Sequence, residues 1–261
     1  MKYAIRLTLL LFLVSCAKVP ITGRRQLNML PESQLMSMSL TEYKSFLSAN
    51  ETVSATDQAA LVKSVGTKIS TAVESYLKKH GQSKRVKDFN WEFNLVKDET
   101  VNAWCMPGGK VVFYTGILPI TKDEAGLAVV MGHEIAHAIA RHGNERMSQG
   151  LALQGGGMAI GVALSNQPEL TQNLFSQAYG LSSQLGMLKY SRMHESEADK
   201  MGLVFMAMAG YDPREAPEFW KRMAAIGGQK PPEFLSTHPH DDTRIKDLND
   251  YMDEALKHYK K

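Results

Sequence analysis

Residues 130–140 read Val130-Met-Gly-His133-Glu134-Ile135-Ala136-His137-Ala-Ile-Ala140. Residues four apart on a helix are separated by about one turn, about 6 Å in rise and about 40° in angle. Both imidazoles can therefore reach one ion. Glu134 stands beside them, placed to take a proton from water whose pKa a zinc ion lowers toward about 7, and to return it to a leaving amine. One Zn2+ per chain is the expected cofactor. The helix has support of its own. Gly126, Val130, His133, His137 and Ala140 share one stripe, and Thr121-Lys-Asp-Glu124 has the spacing of a capping box at the start.

Catalytic zinc usually keeps three protein ligands and one open position. A metzincin would carry Gly at 140 and His at 143, but this chain has Ala140 and Gly143, which excludes that class. His142, five residues after His137, would lie roughly 140° around a continuing helix and reads as a surface or packing residue. Further on stands Arg192-Met-His-Glu195-Ser-Glu197-Ala198-Asp199. Glu195 and Asp199 share a face with Ala198, Gly202, Met206 and Ala209, whose small residues would let this helix approach the zinc helix closely. Glu197 points nearly opposite, along Met201, Val204 and Met208. Both stripes are apolar, so periodicity does not choose between the two glutamates. A charged helix start is the plain alternative.

Four segments together resemble the gluzincin peptidase family that includes the CAAX prenyl protease, HtpX and periplasmic BepA-like peptidases. They are Val101-Asn-Ala-Trp-Cys-Met-Pro-Gly-Gly109, His133 to His137, Glu195-Ser-Glu-Ala-Asp199, and Ser236-Thr-His238-Pro239 followed by Arg244. The resemblance covers residues 101 to 244. It implies Glu195 as the third ligand and Asp199 as an acceptor orienting a ligand histidine, with Arg244 supporting the site. It puts His238 near the metal, either donating to the oxyanion of a tetrahedral intermediate or filling the fourth position and keeping the enzyme latent. It makes Asn102, Ala103 and Trp104 the substrate-binding strand. If that strand is a sheet edge, an extended polypeptide could add to it; a central core strand is the alternative. Trp104 and Cys105 depart mildly from the family pattern and bear on substrate preference. His194 and His240 have no motif support and read as surface residues.

The rest of the chain sets limits. It has 261 residues, 44% hydrophobic and 22% charged, enough for a substantial core in one or two domains. Thirty basic and 27 acidic residues give +3 with no long basic run, which argues against nucleic acid as a partner. Residues 1–15 carry Lys2, Arg6 and an apolar run from Leu7 to Val14, the pattern of a signal peptide. The run ends in Leu13-Val14-Ser15-Cys16, which resembles a bacterial lipobox. Cys16 would then carry the lipid that anchors the chain to a membrane, and the absence of Asp after it suggests the outer membrane, facing the periplasm. Cleavage there removes Lys2 and Arg6 but no acid, bringing the charge near zero. Cys105 is left without a disulfide partner and reads as a small apolar core residue.

Residues 16–30 read as a tether and 31–261 as one peptidase domain. Helices are expected at about 31–49 and 56–80, and strands at 91–96, 102–106 and 110–115 with a turn at Pro107-Gly108-Gly109. Almost unbroken helix should follow from about 121, with 151–186 as a lid or a packed hairpin. Strands clustered before helices argue an α+β fold, mostly helical with a small sheet. Function follows as zinc-dependent hydrolysis of peptide bonds in envelope proteins, unfolded or misassembled ones above all. The rivals are an assembly factor or chaperone with a latent zinc site and outer-membrane assembly partners, and a zinc amidase acting on peptidoglycan.

Overall fold

A computed structural model describes residues 16–155, 168–179, 191–226, 234, 235, 238 and 243–259. The signal-peptide segment 1–15, Gly156, Gly157 and Gly161 of the expected lid or hairpin, and His240 lie outside the described residues.

Alternating side chains from Trp91 to Val96 give a strand two faces, and β4 (Glu92–Val96) uses both. It joins β3 (Thr52–Val53), β5 (Ala103–Met106) and β6 (Lys110–Tyr114) in the order β3-β4-β6-β5. β4 and β6 run parallel and the other pairs antiparallel. The β5–β6 hairpin turns through Gly108 and Gly109 at φ 84° and 78°, a region that disfavours side chains. A Cβ on Gly109 would also stand 2.6 Å from the Trp91 ring.

The helices α1 (Glu32–Ala49) and α2 (Asp57–Lys79) form where their apolar spacing predicts. Thr56 caps α2 by accepting the Ala59 N–H at 3.2 Å. Phe93, Leu95, Ala103, Cys105, Val111 and Phe113 join one core with α2 and the zinc-motif helix. Val96, Trp104, Met106 and Val112 join a second core on α1. The small sheet thus lies between two helical layers, an α+β arrangement as the clustered strands implied.

The zinc-motif helix, α4 (Glu124–Ala140), starts one way and ends another than its sequence suggests. Thr121 is not its cap: it closes a short preceding helix, α3 (Leu118–Thr121), donating its hydroxyl to Leu118 O. Lys122 then turns the chain at φ 66°, and Asp123 caps α4 by accepting the Gly126 N–H at 3.0 Å. The expected single apolar stripe is too narrow a description. Every residue from Gly126 to Ala140 is buried, with α2, β5, α7 (Arg192–Met208) and α8 (Glu215–Ala225) around it. A helix apolar all round belongs in a core. Burying Leu127, Val130, Met131, Ile135 and Ile139, at about 1.5–3 kcal/mol each, offsets the cost of placing His133, Glu134 and His137 inside. At its far end Arg141 adopts the left-handed conformation, φ 61°, and α5 (His142–Gly155) leaves in a new direction. Beyond it α6 (Pro168–Ala178) packs on α5, and α9 (Arg244–Leu256) packs on α7.

Residues 16–30, read as a tether, are instead docked. β1 (Cys16–Lys18) and β2 (Arg25–Leu27) form an antiparallel ribbon. Val19 and Leu30 are buried. Gln26 donates to Ala140 O at 2.7 Å, and Arg85 donates to both Lys18 O and Ile139 O at 2.7 Å. The ribbon is thereby fastened to the end of α4.

Two glycines set how closely α4 and α7 cross. A Cβ on Gly132 would lie 3.0 Å from Gly202 O, and one on Gly202 would lie 3.1 Å from His133 N. Small residues on the 198–209 face therefore do permit the close approach. Gly202→Leu is expected to lower folding stability by about 1–3 kcal/mol, the usual cost of overpacking, and to weaken metal binding by spreading the two helices. Denaturant unfolding and metal titration check this; a variant with unchanged midpoint and affinity would refute the role given to the crossing.

Candidate metal centre

The crossing puts the start of α7 opposite the middle of α4. His133 Nε2 lies 3.0 Å from His137 Nε2, and Glu195 reaches both, its carboxylate oxygens 3.4 and 3.3 Å from those nitrogens. His238 Nδ1 joins them, 3.2 Å from His133 Nε2 and 3.2 Å from Glu195 Oε1. One ligand atom from each of the four residues falls within 4.8 Å of all the others. All four side chains are buried. Glu197, which periodicity left open, does not enter this group.

The surroundings define the donor atoms. His133 Nδ1 faces Asp199 Oδ1 at 2.9 Å. The carboxylate accepts, so Nδ1 carries the hydrogen and Nε2 offers a lone pair. Arg244 holds Asp199 by donating from Nη2 at 2.7 Å and holds Glu195 by donating from Nη1 at 3.1 Å. Its guanidinium lies 3.3 Å from the Trp220 ring centroid, over the ring face. Phe234 stacks on His238 at 4.6 Å. Trp220 and Phe234 are supports that no motif signalled.

The electrostatics fit a cation. Burial, helped by the neighbouring His133 and His238, outweighs Glu195 and drives the His137 imidazole well below its usual pKa, which keeps it neutral. Burial also opposes a charge on His133, but hydrogen bonds to Asp199 and Glu195 outweigh it and raise the group to about 9. Burial likewise opposes ionisation of Glu195, and His238, His133 and His137 overcome it, holding the carboxyl well below its usual range. Without a metal, a proton therefore sits among atoms arranged as acceptors. Burial raises the pKa of Glu134. Among the described residues its Oε1 has no hydrogen-bond partner, although His238 Nε2 stands 3.4 Å away. An orphaned buried oxygen beside converging ligand atoms fits a cation with its solvent. Three nitrogens and a carboxylate suit zinc, and other divalent ions as well.

Two more histidines belong to the interior: His142, read as a surface or packing residue, and His194, read as a surface one. His142 is fully buried because the break at Arg141 swings it back under α4; its Nδ1 lies 2.9 Å from His137 Nδ1. Its Nε2 faces Glu197 Oε2 at 3.3 Å. His194 stacks on His142 at 4.5 Å and faces Glu145 Oε2 at 3.1 Å. Arg24 closes this second cluster, donating to Glu197 at 2.6 Å and to both Glu145 oxygens at 2.8 and 2.7 Å. Burial opposes the charge on Glu145, but Arg24 and His194 outweigh it and bring the carboxyl down to about 2.

Of the two places left open for the expected substrate strand, edge or centre, it takes the edge. β5 is the outermost strand of the sheet, yet Asn102, Ala103 and Trp104 are only 6%, 1% and 6% exposed. Asn102 accepts the Ala103 N–H. Trp104 lies on the sheet face away from α4, edge-on to Tyr43 and Phe46. Its side chain does not line the metal group. Cys105 is buried, and burial raises its thiol pKa, as a core residue requires.

Known proteins share this arrangement of sequence. The Peptidase family M48 profile matches residues 65–252. Mitochondrial metalloendopeptidase OMA1 of Schizosaccharomyces pombe is 38% identical over 172 residues, 65% of this chain and 49% of that protein. Metalloendopeptidase OMA1, mitochondrial, of Homo sapiens is 31% identical over 245 residues, 91% of this chain and 46% of that protein. The beta-barrel assembly-enhancing protease of Escherichia coli is 29% identical over 164 residues, 60% and 33% respectively. The chain spans about half the length of the first two and a third of the last.

The depressed Glu145 pKa makes a pH prediction. Its folded value lies below its unfolded one of about 4.5, so its contribution to stability is complete above about 4.5 and is lost as pH falls toward 2. Thermal melts of the metal-free chain should show a steeper loss over that window than melts of Glu145→Gln. Equal pH dependence would contradict the pairing with Arg24 and His194.

Proposed function

The chain belongs to Peptidase family M48, and from that premise we propose that it is a zinc endopeptidase with His133, His137 and Glu195 as ligands and Glu134 as general base and acid. The observation that carries this reading is the convergence of four buried ligand atoms beside a Glu134 oxygen that has no hydrogen bond among the described residues. When bound, the ion supplies Lewis acidity that makes water a nucleophile and polarises the scissile carbonyl. Glu134 Oε1 takes the proton of the attacking water and passes it to the leaving amine. Asp199 fixes the His133 tautomer, and Arg244 fixes Asp199 and Glu195 together. The burial of these groups excludes bulk water and strengthens each electrostatic contact.

His238 holds the fourth donor place and lies against Glu134. We read this as a closed state that substrate opens by displacing His238. The same observation favours a second reading, in which the protein acts chiefly as an assembly factor or chaperone and its zinc site stays latent.

Substrates in this proposal are envelope polypeptides, unfolded or misassembled. The resemblance to a protein named for enhancing β-barrel assembly supports outer-membrane assembly partners. The lipobox-like Leu13-Val14-Ser15-Cys16 supports a lipid anchor at Cys16 and a place at the periplasmic side of the outer membrane. Among the described residues no helix is long and apolar enough to cross a membrane.

Glu134→Gln should retain zinc and lose casein cleavage by about 100-fold or more, the scale of general acid–base catalysis; comparable cleavage would refute the role. His238→Ala should bind zinc less tightly yet cleave casein faster than wild type. A fall in cleavage with zinc retained would instead assign His238 to the oxyanion.

A further inference from the structure

We propose that the N-terminal ribbon is a working part of the metal centre: Thr22 and Arg24 position His137 through Glu197 and His142. The inference rests on the reading of His133, His137 and Glu195 as the ligand set.

The two ligand histidines are oriented by different means. His133 meets a carboxylate directly, at Asp199. His137 meets another imidazole. Its Nδ1 and that of His142 lie 2.9 Å apart, so one must donate and the other accept. If His137 presents its Nε2 lone pair to a metal, its hydrogen is on Nδ1, and His142 accepts there. The hydrogen of His142 is then on Nε2, facing Glu197 Oε2 at 3.3 Å. Only an acceptor at that point keeps the order of the chain. A donor there would turn His142 into the opposite tautomer, move the His137 hydrogen to Nε2, and block the ligand atom.

The ribbon keeps Glu197 an acceptor and in place. Thr22 Oγ1 donates to Oε1 at 2.5 Å, and Arg24 Nε donates to Oε2 at 2.6 Å. Arg24 is itself fixed by its two-pronged bond to Glu145, and Glu145 also accepts from His194, whose ring stacks on His142. Each link is thus held from two sides. The backbone that presents Thr22 is constrained as well. Ile21 lies at φ 67°, a region that β-branched residues avoid. Val19 N donates to Arg24 O, and Gly23 N to Val19 O, closing this turn. Strain of this kind persists only where surrounding contacts over-determine it. The ribbon begins at Cys16, the proposed lipid-bearing residue, so the membrane-proximal end of the chain and the metal centre form one hydrogen-bonded unit.

The test uses the purified full chain. Zinc affinity is measured by competition with a chromophoric chelator, and ligand geometry by the visible spectrum of the Co2+ form. Arg24→Ala should weaken zinc binding by about 10-fold or more, the scale of losing an orienting partner, and should alter the Co2+ bands. Arg24→Lys should recover only part of the affinity, because an ammonium cannot reproduce the guanidinium fork. Thr22→Val, which removes one hydroxyl and leaves the Arg24 bridge, should give a smaller loss in the same direction and keeps the test open if Arg24→Ala fails to fold. Arg25→Ala removes the same charge from an exposed position of the same ribbon and should change neither readout. Wild-type affinity and Co2+ spectrum in Thr22→Val and in every Arg24 variant that folds would overturn the inference. Zinc binding undiminished by His137→Ala would overturn the ligand assignment beneath it, and the inference with it.

Discussion

Acceptor atoms facing one another in a dry interior are the constraint around which this molecule is arranged. The His133 and His137 nitrogens, the Glu195 carboxylate and the His238 nitrogen stand within 4.8 Å of one another, all buried. Lone pairs so close, away from water, are tolerable only with a proton or a cation among them. The apolar bulk of α4 and the glycine crossing with α7 force the atoms together. Asp199, Arg244 and the Trp220 ring beneath Arg244 keep them from turning away.

Much of this was legible in one sequence, because it follows short periods. Helices at 32–49 and 57–79 announce themselves by apolar spacing, the strands around 92–114 by alternation and the Pro-Gly-Gly turn, and the metal helix by histidines one turn apart. Glu195 was a different matter. Its helix has two acceptable faces, and only the likeness of Glu195-Ser-Glu-Ala-Asp199 to a family motif preferred it over Glu197. The structure separates them spatially: Glu195 turns toward His133 and His137, Glu197 toward His142 and Arg24.

What stayed hidden depends on breaks and on long-range pairs. Helical geometry extended past residue 140 leaves His142 between a surface and a packing role, whereas the chain turns left-handed at Arg141, where no glycine signals it, and brings His142 beneath His137. Thr121 looked like a cap because the short α3 before it has no periodicity long enough to read. Residues 24, 145 and 197 form one charge cluster, yet each alone is an ordinary polar residue. Trp104 shows what a motif leaves unsaid: likeness marks its strand, while strand alternation sends its ring to the second core.

The most direct test of the central claim is anomalous diffraction at the zinc edge from crystals of the full chain. The account predicts one ion with His133 Nε2, His137 Nε2 and Glu195 as ligands at about 2.0–2.2 Å, and with Asp199 and Glu197 outside its coordination. An ion bound elsewhere, or one held through Glu197 with Glu195 swung clear, would contradict it.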